Sequence, residues 1–464
     1  MLFTQYYLDC LSQASYLVAD ETTKQAVVVD PRRDVGEYLA DARAHDLTIV
    51  GVIDTHFHAD FLAGHLELAA ATGAWIGFGR RASADFPIRA LADGERISLG
   101  DVTLQIMETP GHTPESISLQ VFEHADDEVP YGVLTGDALF IGDVGRPDLL
   151  ASIGVTADEL GRMLYSSVRR LMTLPDQVRV FPAHGAGSAC GKNLSTERQS
   201  TIGEQRVTNY ACQPMTEDEF LAIVTEGQPS APDYFVYDAI LNRSQHPVFD
   251  AGAAPVPLTL DQVLVRQRGG AFLLDARDPQ EFAAGHLSGA VNVPADGRFA
   301  ETAGMVARPD AEIVVVAPQD REEEVVVRLA RIGFDRVAGY LREPEAAFLT
   351  AFLTVPQRLE RASRLTVPEL DEALRAPVPP VVVDVRNIGE LVSGSIPGAV
   401  NIPLAQLPRR MDEIPADRPV VVHCAGGYRS SVAASLLRTA GRSDVSDLLG
   451  GFDAWSRFHS QVVA

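Results

Sequence analysis

An internal repeat leaves this chain few architectures to choose from. Asp275, Arg277, Glu281, Gly285, Gly289, Asn292 and Pro294 recur, ungapped, as Asp384, Arg386, Glu390, Gly394, Gly398, Asn401 and Pro403. Chance agreement at so many polar or special positions in one register is very improbable, so the two stretches are copies of one structural unit. Each reads as a strand, a turn into a short helix, a Gly-rich turn and a second strand. A third apolar run follows each copy, Ile313–Val316 and Val420–Val422. Strands alternating with helices predict two small α/β domains with parallel sheets.

Ahead of the repeat, to about residue 250, apolar strand-like runs alternate with turns and helical stretches. Examples are Ala26–Asp30, Leu47–Ile53, Val102–Glu108 and Val178–Phe181. The Pro- and Ala-rich run Asp250–Pro257 forms no core and marks a linker, and a second break falls at Thr354–Ser363. With 464 residues, the chain suits about three domains of roughly 150 residues each. The expected bounds are 1–250, 256–353 and 360–464.

A formal net charge of −24 repels nucleic acid and anionic membranes, so neither is expected as a partner. No apolar run approaches the ~18 residues of a membrane span. The N-terminal stretch carries Asp9 and no basic region ahead of a long apolar core, unlike a secretory signal. The expected location is the cytoplasm. Cys10, Cys190, Cys212 and Cys424 are too few for a disulfide framework, and no pair has Cys-x-x-Cys spacing.

Residues 55–65 read Thr-His-Phe-His-Ala-Asp-Phe-Leu-Ala-Gly-His, directly after the Leu47–Ile53 run. Three further pieces each follow an apolar strand: Thr-Pro-Gly-His112, Thr-Gly-Asp137 and Phe-Pro-Ala-His184. In an α/β sandwich such strand ends meet on one edge, where ligands converge. Any one of these histidines alone is as well explained by a loop hydrogen bond. Four pieces at four strand ends are not. His45, His65 and His124 lack this context and read as ordinary residues. A related two-metal site needs a histidine after Asp60, but Phe61 stands there and cannot bind a metal. One metal is therefore expected. A 2-His-1-carboxylate face with open positions suits non-haem Fe(II). His58, Asp60 and His184 then become residues that orient ligands or move protons.

In the second repeat the third strand runs into His423-Cys424-Ala-Gly426-Gly427-Tyr428-Arg429, then a helical run, Val432–Thr439. A cysteine between a buried strand and a Gly-rich turn into a helix sits among backbone N–H groups, which favour a thiolate or an anionic persulfide. Arg429 adds fixed charge, and Gly426 and Gly427 let the backbone curl round the sulfur. The competing readings are an inert buried thiol and a Cys-based phosphatase. The phosphatases place five residues between Cys and Arg, and here four intervene. In the first copy Pro318 is expected where Cys424 stands in the second, beside Glu322, Glu323 and Glu324. That copy is expected to be catalytically dead, a rigid spacer or an oligomer contact.

The order His-x-His-x-Asp, His112, Asp137, His184 resembles the metallo-β-lactamase fold. Thr-Pro-Gly-His-Thr-Pro-Glu-Ser and Gly-Asp-Ala-Leu-Phe-Ile-Gly-Asp-Val-Gly-Arg-Pro-Asp resemble its persulfide dioxygenase branch more narrowly, over roughly residues 1–240. The Cys424 loop, Asp-x-Arg and Gly-Ala-x-Asn-x-Pro resemble rhodanese sulfurtransferases. Together they resemble bacterial dioxygenase–rhodanese fusions of sulfide detoxification. The resemblance implies an αββα sandwich followed by two rhodanese domains, the first inactive. It implies one Fe(II) on His56, His112 and Asp137, with O₂ as co-substrate and Arg146 holding the acidic end of the carrier thiol.

The expected substrate is a low-molecular-weight thiol persulfide, oxidised to sulfite. Cys424 and Arg429 make or use thiosulfate, with Gly426, Gly427 and Tyr428 lining the substrate. The loop 185–192 lacks the aromatic residue found there in glutathione-binding relatives, so coenzyme A or another bacterial thiol stands beside glutathione as carrier. Cys190, in that loop, is a candidate sulfur relay. A homo-oligomer is expected. The alternatives are a zinc thioester hydrolase of the glyoxalase II kind fused to a sulfurtransferase, or a non-catalytic sulfur carrier or scaffold.

Overall fold

The central strands in the first 250 residues are buried on both faces, and the layering explains why. In the strand Gln13–Ala19 every residue is buried. Ala14, Tyr16 and Val18 point into a core between two sheets. Leu17 and Ala19 point the other way, to Tyr38 and Ala42 of helix Gly36–Ala44 and Leu68 of helix His65–Thr72. Alternation with period two thus feeds two cores rather than one core and solvent. The computed structural model describes residues 1–149 and 155–462.

The first sheet holds Leu2–Leu8, Gln13–Ala19, Gln25–Val29, Thr48–Ile53, Trp75–Gly79 and Arg89–Leu91, side by side in chain order. Its first three strands are antiparallel and the rest pair in parallel. The second sheet holds Arg96–Ser98, Thr103–Glu108, Ile117–Phe122, Gly132–Gly136, Arg179–Pro182 and Ser200–Thr201, again in chain order. Its outer face packs Val133 and Val180 against Leu164, Val168 and Leu171 of helix Ala157–Leu171. That helix starts at a capping box, in which Thr156 and Glu159 satisfy each other's backbone N–H, a device worth about 1 kcal/mol. The layers are helix, sheet, sheet, helix, the expected αββα sandwich. The expected strands are present with ends moved by one or two residues.

The chain divides into two compact units, 1–251 with 330–333, and 252–329 with 334–464. The second unit contains both repeats. Their sheets have one topology. The first copy orders Pro257–Leu258, Val337–Leu341, Ile313–Val316, Phe272–Asp275, Ala290–Asn292; the second orders Ser363–Leu365, Val445–Leu448, Val420–His423, Val381–Asp384, Val400–Asn401. All pairings within both sheets are parallel.

The repeated residues hold this topology together. Arg277 grips Asp275 through both carboxylate oxygens and donates to the Gly285 carbonyl; Arg386 does the same with Asp384 and Gly394. Asn292 donates to the carbonyls of Asp275 and Arg277, and Asn401 to those of Asp384 and Arg386. Each Asp–Arg–Asn set ties the first strand to the second. The copies differ in the short helix, α-helical at Pro279–Ala284 but 3₁₀ at Ile388–Ser393.

One expectation needs correction. Asp275 pairs with Val316 and Asp384 with His423. The residue after each strand is therefore Ala317 in the first copy and Cys424 in the second. Ala317, not Pro318, takes the cysteine's place, because the register of the central strands sets the alignment there. Alanine carries no nucleophilic atom. Among the described residues no helix is long and apolar enough to cross a membrane.

Candidate metal centre and cysteine loop

The four strand-end pieces converge as expected. Ligand atoms of His56, His112 and Asp137 all lie within 4.8 Å of one another, and all three residues are buried. His112 Nε2 lies 3.4 Å and His56 Nε2 3.9 Å from Asp137 Oδ2. Two glycines permit the approach. A side chain at Gly111 would meet the Cα of Leu164 at 2.3 Å, and one at Gly145 the Asp137 carbonyl at 2.0 Å.

Hydrogen bonds to the far ring nitrogens fix the tautomers. His112 Nδ1 donates to the Arg146 carbonyl at 2.9 Å. A carbonyl only accepts, so Nδ1 holds the proton and Nε2 presents its lone pair. His56 Nδ1 lies 3.0 Å from Thr55 Oγ1, which donates onward to Asp30 Oδ2. That chain likewise leaves His56 Nε2 as the free lone pair. Burial, reinforced by His58, His112 and His184, holds the His56 imidazole well below its usual range and keeps it neutral. Among the described residues, His56 Nε2 and both carboxylate oxygens of Asp137 are buried without a hydrogen-bond partner, a cost a protein accepts where an ion completes the set. Two neutral imidazoles and one carboxylate fit a single divalent ion of the non-haem iron kind.

Beside this set lie His58, Asp60 and His184, whose ligand atoms also fall within 4.8 Å of one another. His184 Nε2 sits 3.4 Å from Asp60 Oδ2 and 3.6 Å from Asp137 Oδ1, so it bridges the two groups. His58 Nε2 is turned to Asp30 at 3.0 Å. Desolvation opposes charge on His58, but Asp30, then Asp54 and Asp60, outweigh it and raise its pKa to about 9. Phe61, fully buried, lays its ring 4.3 Å from that of His58. The apolar ring fills the space where a further ligand would stand.

Three supports were not anticipated from the sequence. Asp30 receives His58 and both the N–H and hydroxyl of Thr55. Asn242, about 180 residues on, donates to the carbonyls of His58 and Phe61 and accepts the Ala63 N–H. His65, expected to be ordinary, is buried 2.7 Å from Asp54. The run of ligands after an apolar strand hinted at a braced loop, but nothing local marks Asn242.

Arg146, expected to hold the carrier thiol, is bonded within the protein. It is buried, and its guanidinium donates to both Asp148 oxygens and to the carbonyls of Ala189 and Pro229. All three of its guanidinium nitrogens are engaged, and the bond to Ala189 ties it to the 185–192 loop. Cys190 in that loop is buried and within 4.8 Å of Asp137 and His184 ligand atoms. Burial, then Asp60 and Asp137, push its thiol well above the usual range.

In the second repeat Cys424 Sγ accepts the Gly427 N–H at 3.1 Å and lies 3.8 Å from Ser430 Oγ. Gly427 takes φ of 106°, open to glycine, and caps the helix Tyr428–Thr439. Arg429 forms two bonds to Glu390, at 2.6 and 2.7 Å. Burial would lower its charge, but Glu390, then Cys424, raise it. Gly426, Gly427 and Tyr428 line a cavity of about 430 Å³ beside this loop.

Comparison with known proteins finds relatives of both parts of the chain. The model of the rhodanese-like domain matches residues 259–342 and 366–458. The crystal structure of a metallo-beta-lactamase from Staphylococcus aureus superposes with a TM-score of 0.66 at 32% identity, covering 73% of this chain and 98% of that one. Persulfide dioxygenase ETHE1, mitochondrial, of Bos taurus is 30% identical over 189 residues, 40% of this chain and 68% of the relative. A sulfurtransferase of Allochromatium vinosum is 42% identical over 84 residues, 18% of this chain and 78% of the relative. Against a beta-lactamase hydrolase-like protein of Xylella fastidiosa, 26% identical, the chain spans about half the relative's length, 52%.

The fold and the buried ligand set define a metallo-β-lactamase-fold protein joined to rhodanese-like domains. The chain belongs to the persulfide dioxygenase branch of that fold, in its rhodanese-fused form.

Proposed function

We propose that the first unit oxidises the terminal sulfur of a low-molecular-weight thiol persulfide to sulfite, and that Cys424 couples it to thiosulfate. The observation that carries this is the buried His56, His112, Asp137 set beside Phe61. One ferrous ion held there would supply the redox chemistry that lets O₂ react with sulfur. Around it the chain's own residues act. His184, between Asp60 and Asp137, is placed to hold or pass a proton as the carrier thiol leaves. Phe61 blocks a second ion, and burial of the set keeps bulk water from the persulfide. Persulfide, O₂ and water give thiol, sulfite and two protons. Cys190, beside Asp137 and His184, is the proposed sulfur relay.

At the second site Cys424 carries a sulfane sulfur as a persulfide. Sulfite attacks the outer sulfur, the S–S bond breaks, and thiosulfate leaves with Cys424 as thiolate. Gly427 N–H and Arg429 stabilise that charge. The reverse transfer is chemically equivalent. Glutathione, coenzyme A or another bacterial thiol would serve as carrier, in a cytoplasmic homo-oligomer.

A zinc thioester hydrolase is the second reading. The clustered His58, Asp60 and His184 favour it, as does a hydroxyacylglutathione hydrolase of Rhodospirillum rubrum 33% identical over 171 residues. Phe61 opposes it, since the two-metal water bridge loses a ligand. Anaerobic purification, metal analysis and O₂ uptake with a thiol persulfide decide between them. One iron per chain with O₂ uptake is expected; two zincs and no uptake would overturn the proposal. Cys424→Ser is expected to keep O₂ uptake and lose thiosulfate formation.

A further inference from the structure

The first repeat lacks the nucleophile, yet it is bonded to the helix that carries the second repeat's active loop. Three residues on one face of helix Tyr428–Thr439 reach into the first copy. Tyr428 donates from its hydroxyl to the Pro294 carbonyl at 3.0 Å. Ser431 Oγ donates to Asn292 Oδ1 at 2.6 Å. Ser435 Oγ accepts the Asn292 backbone N–H at 2.9 Å. Positions 428, 431 and 435 share a helical face. Asn292, Ser431 and Ser435 are all buried, so water does not replace these bonds.

Asn292 has a second attachment. Its Nδ2 donates to the carbonyls of Asp275 and Arg277, so its side chain is fixed by its own sheet before it meets the helix. Its counterpart Asn401 makes the same two intradomain bonds, so the repeat signature accounts for the amide nitrogen. The bond from Ser431 to the amide oxygen is an addition made only in the first copy. Ala290–Asn292 is also the edge strand of its sheet, and the helix covers that edge.

The same junction lines a cavity beside the Cys424 loop. Asp278, Asp296, Pro318 and Arg321 of the first copy line one cavity with Gly426, Gly427 and Tyr428 of the second. Gly427 is at once a lining residue, the helix cap and the donor to Cys424 Sγ. A shift of the helix therefore moves the N–H on the sulfur.

We infer that the inactive repeat is a working part of the Cys424 site, with Asn292 as the positioning residue that holds the catalytic helix through Ser431 and Ser435. This rests on the reading of Cys424 as the sulfur-transfer nucleophile. The variants are Asn292→Ala and, from the other side of the same bond, Ser431→Ala, each in the full chain. The readouts are the single-turnover rate of Cys424 persulfide formation from thiosulfate, the steady-state kcat and KM, and the fraction of Cys424 that loads, by mass spectrometry.

Ser431→Ala removes one buried hydrogen bond to the helix, and Asn292→Ala removes that same bond together with its two intradomain bonds; the shared loss predicts a rate lower by about fivefold to tenfold in either variant. Loading still reaches completion, kcat falls and KM stays within about twofold. Iron content and O₂ uptake stay at the parent level. If Asn292→Ala fails to fold, Ser431→Ala, which removes only a hydroxyl, carries the test. Parental single-turnover rates in the folded variants would overturn the inference. So would a loss confined to the loaded fraction, which marks a merely structural role. No sulfur transfer in the parent would overturn the Cys424 reading instead.

Discussion

Asn242→Ala should loosen the metal loop. Asn242 is buried, and its side chain makes three bonds to the loop: to the carbonyls of His58 at 2.7 Å and Phe61 at 2.8 Å, and from the Ala63 N–H at 2.8 Å. Truncation strands three buried backbone groups. Each unsatisfied group costs about 1–3 kcal/mol, and partial relaxation brings the sum to about 3 kcal/mol rather than the full total. For a unit of this size that lowers the midpoint of thermal unfolding by about 6–12 °C.

The same loss frees the segment between His56 and Asp60, so metal affinity should weaken about tenfold to a hundredfold, as when a ligand's support is removed. Calorimetry of the chelated protein reads the first effect. Competition for Fe(II) against a coloured chelator reads the second. Asn242→Asp keeps the acceptor for Ala63 but sets a buried carboxylate against the His58 and Phe61 carbonyls, so it should weaken affinity at least as much as the alanine variant. A melting point within about 2 °C of the parent, with unchanged metal affinity, would refute the reasoning.

Other outcomes follow from the same geometry. Phe61→His should raise metal content from one to two ions per chain, since His58, Asp60 and His184 already converge; plasma emission spectroscopy checks it, and a content of one refutes it. Asp20 loses by desolvation but gains more from the N–H groups of Thr23, Val102 and Thr22, so its pKa falls to about 2. Its folded value lies below the unfolded one, so its stabilisation is present above pH ~4 and fades toward pH 2. The melting-point gap between parent and Asp20→Asn should therefore close over that window. Glu390→Gln breaks the doubly bonded pair with Arg429. It should slow sulfur transfer by about tenfold while Cys424 still loads fully, read by single-turnover kinetics.

The sandwich, the tandem repeat and the ligand set were legible because each is written locally. A strand buried on both faces shows as an unbroken apolar run, and its ligands follow within a few residues. His56, His112, Asp137 and His184 each announce themselves by that neighbour. Asp-x-Arg and the following Asn are local as well, and they stand where the two copies make identical bonds. Asn242 was illegible for the opposite reason. It ends a helix about 180 residues from the loop it supports, in a stretch with no motif, and only the folded chain brings it there.

Arg146 and Ala317 are both governed by contacts that the linear sequence does not display. Arg146 was expected to hold a ligand because sequence displays a charge but not what has claimed it. Asp148 lies two residues on, in the same quoted motif, and takes the guanidinium in two bonds. A buried arginine with an acid at that spacing is more cheaply satisfied by its neighbour than by a substrate that must displace it. Pro318 was matched to Cys424 because a conspicuous residue anchored the alignment where the loops differ in length. Strand pairing is the better anchor. A one-residue slip turns every side chain to the wrong face, so the register from Asp275 to Val316 is not free to move. It places Ala317 at the cysteine's position. The alanine removes the first copy's chemistry while the Asp275–Arg277–Asn292 set stays intact. A repeat that has lost its nucleophile but kept the bonds that fix Asn292 is what is expected of a domain retained for how it holds its neighbour's helix.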